Sequence, residues 1–382
     1  MLKRLLLFIG LPIVALIILA GIFLLRDPTL LLMMESNQSE DRPALFSGNL
    51  DSIGPDDLKV GLKKGADYLL SNMGKDGWEG HPGITSICLR SLAGLKPAED
   101  LKPGISFILS CQGEDGGFAI PFSISLALKN YTTSVAILAL SEVDSKTYAE
   151  SIEKGKNFLM KAQLDEDDDV DPDNPNFGGF GYGMGKTADL SNTHLALEAL
   201  KKSGVKEDNP VFVRAQSFLR AAQDREGNPG DWAGASGGFV YSPEAAATDT
   251  NATYPYGAMS FAGLKSLILS GVKTDDPRVK DVMSWIEKNY EEDFHPGKGQ
   301  LSLFYYFATM ASTLDLSGIH ELKVKEGSSH NWQKDVARSL LKRQRDDGSW
   351  INSTRKYMEG LPALASAYAL MALKTVDPAK LN

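Results

Sequence analysis

The chain has 382 residues, with 40 Lys and Arg against 49 Asp and Glu and a formal net charge of -9. That length allows one large domain or two ordinary ones, and 43% hydrophobic with 23% charged residues excludes wholesale disorder. An acidic balance with no basic block excludes nucleic acid as a partner, because neutralising phosphates takes clustered Lys and Arg. Cys88 and Cys111 are too few for a disulfide framework or a four-thiolate zinc site, and whether they pair is left open. The five histidines form no HExxH pair.

Lys3 and Arg4 precede an uncharged run over residues 5–25, ended by Arg26 and Asp27. As a helix it spans ~31 Å, the thickness of a bilayer's hydrocarbon, and no small-residue cleavage site follows it. Residues 1–27 are therefore expected to form a single-pass membrane anchor. The excess of positive charge before the span places the N-terminus in the cytoplasm and the rest on the extracytoplasmic side. Residues 28–55 read as a tether, and residues 56–378 as the globular part.

That part repeats itself six times. Each unit opens on an amphipathic run, three of them ending in Gln112, Gln163 and Gln223; weaker copies cover 65–73, 282–290 and 336–344. A glycine-rich turn with an aromatic follows in five units, at Trp78, Phe118, Phe180, Phe239 and Trp350. A second run, rich in small residues and nearly free of charge, comes next: 85–92, 133–140, 193–200, 257–264, 307–314 and 366–373. One wet and one dry helix per unit predict an all-α fold, a six-hairpin α/α toroid (an α6/α6 barrel) behind one N-terminal transmembrane helix. An open solenoid needs polar caps, whereas the last dry run is as apolar as the middle ones, so the ring is expected to close. Insertions at 164–189 and 224–253 then gather at one face, beside the mouth of a central cavity.

Gln344, Gly348 and Trp350 resemble the Q-x-x-x-G-x-W repeat of squalene–hopene cyclases and related terpenoid cyclases, and Gln112, Gly116 and Phe118 repeat it with Phe for Trp. The resemblance covers about residues 56 to 378 and implies the α/α toroid shared with protein prenyltransferase β subunits. It also implies where chemistry would sit. Class II cyclases start with a protonated Asp in a D-x-D-D-T-A segment. Here that place holds Asp189, Ser191, Asn192, Thr193 and His194, so the two central carboxylates are absent. The resemblance makes Asp189, Asn192 and His194 the catalytic candidates, beside the plainer readings of Asp189 as a helix cap and His194 as a buried structural histidine. Trp78, Phe118, Tyr131, Tyr254, Tyr256, Tyr305, Tyr306 and Trp350 are the aromatic candidates for substrate binding, since ring faces attract cations and line lipid cavities.

The prenyltransferase zinc set requires a D-x-C pair, which neither cysteine provides, and no metal or cofactor is expected. Asp165, Asp167, Asp168 and Asp171 match acidic metal motifs literally, yet lie in a proline-bounded insertion that reads as a solvated loop, with calcium binding as the alternative. Three functions remain in view. The first is a membrane-anchored, cyclase-like enzyme acting on an isoprenoid or other apolar lipid as its partner. The second is a non-catalytic toroid binding a lipid, peptide or glycan. The third is a carbohydrate-active toroid using acids among Asp189, Asp231, Glu244 and Asp249. Oligomeric state is left open.

Overall fold

The computed structural model describes residues 53–381 apart from Phe122, Ile124, Ser125, Leu126, Met184, Lys325 and Glu326. The expected membrane span and nearly all of the tether lie outside the described residues. Among the described ones, no helix is long and apolar enough to cross a membrane.

Twelve helices of nine residues or more alternate between two layers among the described residues. The outer ones are α1 (Pro55–Ser71), α3 (Lys102–Ser110), α5 (Ala149–Met160), α7 (Pro210–Ala222), α9 (Pro277–Asn289) and α11 (Trp332–Leu341). The inner ones are α2 (Pro82–Leu92), α4 (Lys129–Asp144), α6 (Leu190–Lys202), α8 (Gly257–Leu269), α10 (Leu303–Leu316) and α12 (Pro362–Lys374). A proline in the first turn of α1, α2, α7, α9 and α12 starts those helices where a missing N–H costs nothing. Helix α1 buries Leu58, Gly61, Gly65, Ala66 and Leu69, one stripe at helical spacing, and leaves its other face in water. Every residue of α2 is buried. Each buried Leu, Ile or Val of these inner helices contributes about 1.5–3 kcal/mol over exposure.

The inner helices touch in the order α2, α4, α6, α8, α10, α12 and back to α2, so the ring is closed. The repeat motif explains the closure. Gln112 donates to the Gly116 carbonyl of its own turn (3.0 Å) and to the Ser151 carbonyl of the next outer helix (2.9 Å). Gln163 and Gln223 do the same toward Val211 and Arg278. Gln344 continues the series across the seam, donating to Gly348 and to Gly61 of α1, both at 2.9 Å. The turn aromatic locks the inner helix: the backbone N–H of Trp78, Phe118, Phe180, Phe239 and Trp350 donates to Thr85, Thr133, Thr193, Ser260 and Ser366 in turn. Gly348 has φ +88°, and a Cβ there would sit 2.4 Å from the Lys64 carbonyl of α1. Only glycine meets both demands.

Two details depart from the sequence reading. The inner helices carry buried charges at their C-terminal ends, where the runs looked almost uncharged. Arg90 of α2 binds Glu142 of α4 (2.8 Å) and Glu198 of α6, and Lys265 of α8 reaches Glu198 (2.8 Å) and Ser312 of α10 (3.2 Å). Lys374 of α12 donates to the carbonyls of Arg90 (3.0 Å) and Ala93 (2.7 Å), so all six inner helices join one polar floor. The C-terminal ends of six parallel helix dipoles favour those cations. Cys88 and Cys111, whose pairing was left open, are both free and buried. A two-stranded ribbon, β1 (Glu321–Lys323) and β2 (Ser329–Asn331), lies between α10 and α11.

Candidate functional site

The N-terminal ends of the inner helices surround a cavity of about 800 Å³. The two insertions build its mouth. Tyr182 comes from the first, whose Tyr182 and Gly181 carbonyls accept from the backbone N and side chain of Asn130 (3.1 and 3.0 Å). Tyr241 comes from the second, its carbonyl accepting from Leu190 N–H (2.8 Å). Asp249 lines the rim and Tyr254 and Tyr357 stand exposed there. Eight tyrosines face the space, together with aliphatic groups such as Ile84, Ile87, Met259 and Leu364.

Of the aromatic candidates, Tyr131, Tyr254, Tyr256 and Tyr305 line the cavity. Trp78, Phe118, Tyr306 and Trp350 do not: they are buried in the wall between helix layers. The repeat itself is the reason for three of them. Trp78 and Trp350 spend their indole N–H on the Leu69 and Leu340 carbonyls (2.9 and 2.7 Å), and Phe118 wedges beside Gly155. Tyr306 follows Tyr305 by one helical position, which turns it away from the axis to stack on His295 with ring centroids 4.8 Å apart. Tyr182, Tyr241 and Tyr368 are lining residues the sequence reading did not single out as ligands. The first two sit in insertions without periodicity, and Tyr368 falls in a run that looked like uniform core.

Asp189 and Asn192 are brought together. Asp189 Oδ1 accepts from Asn192 N–H (2.9 Å) as an N-cap, and Oδ2 accepts from the Asn192 side chain (2.7 Å). Burial pushes the Asp189 carboxyl up to about 6, against the pull of hydrogen bonds from Asn192 and Tyr241. Asp189 stands behind the cavity wall, with Tyr241 between. Ser191, in the place of a carboxylate that the family pattern would put there, does line the cavity, and its hydroxyl pairs with Tyr305 (3.0 Å).

His194 is not joined to Asp189. One turn deeper, its Nδ1–H donates to the Leu190 carbonyl (3.1 Å), and burial lowers its pKa to about 4, so the ring is neutral at pH 7. It borders a second, small cavity of about 30 Å³ above the polar floor, beside Glu198 and Lys265. The layer between the two spaces is tyrosine: Tyr131 and Tyr368 share a hydrogen bond (3.2 Å), and Tyr305 packs edge-on to Tyr368.

One acid was missed. Glu359 lines the cavity and is fully buried, and its oxygens accept from Tyr305 N–H (2.8 Å), Phe304 N–H (3.3 Å) and the Asn352 side chain (2.6 Å). Burial raises its pKa to about 7. No motif marks it, because it caps a helix 54 residues upstream.

Of the acids weighed for glycan chemistry, only Asp249 lines the cavity; Glu244 accepts from Asn176 (3.1 Å), and Asp231 is exposed. Among the described residues, the one cluster with metal-ligand spacing is Glu292, His330 and Asp335, none of which lines the cavity. Arg338 already pairs with both of its carboxylates. The acidic loop forms no such cluster: Asp165 pairs with Arg214 (3.3 Å) and Asp169 with Lys186 (3.2 Å).

A closed double ring of helices around a tyrosine-walled cavity defines a terpene-cyclase-like α/α toroid. The squalene-hopene cyclase C-terminal domain family matches residues 129–377, and the chain belongs to that family. No curated protein matches it. Among solved structures, the type II terpene cyclase MstE from Scytonema, in complex with merosterolic acid A, is 15% identical with a TM-score of 0.53, over 84% of this chain and 97% of that one. An α-amylase from Clostridium perfringens is 12% identical with a TM-score of 0.52, over 87% and 100%. A possible GH105 family member from Salmonella enterica is 11% identical with a TM-score of 0.52, over 88% and 98%. At such identities the likeness is one of fold.

Proposed function

We propose that the central cavity takes an isoprenoid or another elongated, largely apolar ligand, and that the chain acts on it as a terpenoid-cyclase-like enzyme held at a membrane by residues 1–27. The observation that carries this reading is the wall: an ~800 Å³ space in which eight tyrosines and aliphatic side chains outnumber the polar lining residues, among them His81, His295, Lys298, Lys356 and Asp249. The deep hydroxyls of Tyr131, Tyr305 and Tyr368 are bonded in pairs, to one another or to Ser191. The space is large for a small molecule and within the range of drug-sized and cofactor pockets. Hydroxyls paired along the wall leave ring faces for an apolar guest, and such faces stabilise positive charge. The terpene cyclase of the same fold is seen with merosterolic acid A, its product.

In this reading Asp189 supplies the proton. Its neutral form is favoured by burial, and Tyr241 lies between it and the cavity, its hydroxyl donating onward to Tyr182 (3.2 Å). Asn192 positions the carboxyl; His194, neutral and turned to Leu190, shapes the floor. The proton moves from Asp189 through the Tyr241 hydroxyl to an alkene carbon, and the carboxylate left behind is held by Asn192.

Purification of the 382-residue chain in detergent, solvent extraction and mass spectrometry test the proposal, with Asp189→Ala alongside. A cyclised isoprenoid from wild type, replaced by its linear precursor in the variant, is the expected result. The same lipid unaltered in both would reduce the protein to a carrier, and a bound glycan would overturn the isoprenoid reading.

A further inference from the structure

The joint between the outer helices α9 and α11 is made without the repeat's glutamine. Gln112, Gln163, Gln223 and Gln344 bridge other joints by donating to a carbonyl of the following outer helix. At the end of α9 that place in the repeat holds Tyr290, whose hydroxyl donates to Asp335 of α11 (3.0 Å). Glu292, just past α9, and His330 of β2 meet them there. His330 Nδ1 stands 3.2 Å from Glu292 Oε1 and 3.2 Å from Asp335 Oδ2, and its ring packs edge-on to Tyr290.

A proton accounts poorly for this arrangement. One ring nitrogen carries one hydrogen and cannot aim it at two carboxylates, and a charge-assisted N–H···O bond is about 2.7–2.9 Å, shorter than either contact. Separations of about 3.4 Å are instead the edges of a tetrahedron around a zinc ion with bonds of about 2.1 Å. All three ligand atoms lie within 4.8 Å of one another. Arg338 leaves them accessible, because it holds the other oxygens, Glu292 Oε2 and Asp335 Oδ1. One guanidinium against two carboxylates leaves negative charge uncompensated, and from that side it orients both as an outer hydrogen-bond partner. Asp293, next in the chain, is spent on Ser339 (2.8 Å) and Arg343 (3.0 Å).

A second observation points to the same place. Tyr306 is fully buried, stacked on His295 of the connection that carries Glu292, and its hydroxyl has no hydrogen-bond partner among the described residues. Asp335 and Glu291 both oppose its ionisation, which puts the ring within their electrostatic reach. A buried hydroxyl without a partner is destabilising unless a water or a ligand answers it.

We infer that Glu292, His330 and Asp335 bind a divalent transition-metal ion, zinc by their chemistry, which clamps α9 to α11 through the ribbon. An imidazole among the ligands favours zinc over magnesium or calcium, which take oxygen alone. Water fills the fourth position, and Tyr306 is the polar group left to bond it. Glu292 and His330 are part-exposed and give the ion a way in, while Asp335 is buried. No local motif marks the set, since its members come from a connection, a strand and a helix. The clamp stands apart from the cavity and does not depend on what the cavity holds.

Calorimetric titration of zinc into the untagged 382-residue chain, first stripped with a chelator, tests this, with magnesium and calcium titrated alongside. Wild type is expected to bind one zinc ion per chain, and magnesium and calcium about a hundredfold more weakly or less. His330→Ala and Glu292→Gln should each lose zinc affinity by about tenfold or more, with circular dichroism unchanged. Zinc should also raise the unfolding temperature of wild type and not that of His330→Ala. No zinc binding would overturn the inference. So would zinc binding untouched by His330→Ala, which would assign the ion to other residues, or calcium bound as tightly as zinc, which would remove the imidazole from the ligand set.

Discussion

At the scale of single residues, Asp189 shows how one side chain serves two masters. Its carboxylate caps α6, yet burial raises its pKa from 3.8 to about 6. A raised carboxyl pKa means the folded state holds its proton longer than the unfolded chain, so this group's contribution to stability is full below pH 3.8 and is lost as pH rises through 6. Asp189→Asn removes that dependence. Urea unfolding should show wild type losing roughly 2 kcal/mol relative to the variant between about pH 4.5 and 7.5; a pH-independent difference would contradict the burial. Asp189 was visible in the sequence through its motif position. Glu359 was not, because its partners are 54 and 55 residues away and nothing local distinguishes it from a surface acid. Tyr305 and Tyr306 show the same limit: the sequence names both, and only the rotation of α10 decides that one faces the cavity and the other His295.

At the scale of elements, the repeat was legible because it is local chemistry repeated. Gln, Gly and an aromatic at fixed spacing stitch each hairpin to the next, and the same atoms do so in each copy that has them. The seam between the last and first units is the sensitive place. Gln344→Ala leaves the Gly61 and Gly348 carbonyls without their side-chain donor, a loss of about 1–3 kcal/mol. Gly348→Ala should cost more, since a Cβ meets the Lys64 carbonyl at 2.4 Å on top of the unfavourable φ. Thermal unfolding of the two variants orders them; a Gly348→Ala as stable as wild type would contradict the close approach at the seam. The insertions that form the mouth were placed by topology, while their lining residues, Tyr182 and Tyr241, needed coordinates because no period runs through them.

At the scale of the whole molecule, six parallel inner helices give the toroid two unlike ends. The N-terminal ends ring an open, tyrosine-walled cavity, and the C-terminal ends meet on a floor of buried charge. The floor closes the ring from below, and breaking it by one partner is costly because the others stay buried. Arg90→Ala leaves Glu142 without an ion-pair partner and Glu198 with Lys265 alone, and is expected to destabilise the fold by about 3–5 kcal/mol. An exchange of Arg90 for Ala that shifts unfolding by under about 1 kcal/mol would show that the floor is solvated rather than buried. The central claim is that the upper space holds an apolar, isoprenoid-like guest. The most direct measurement is calorimetric titration of a linear isoprenoid alcohol of about twenty carbons into wild type and into Ile87→Trp, which fills the cavity from α2. One-to-one binding by wild type, weakened about tenfold or more by Ile87→Trp, is the predicted result. No isoprenoid binding, or binding untouched by the substitution, would contradict it.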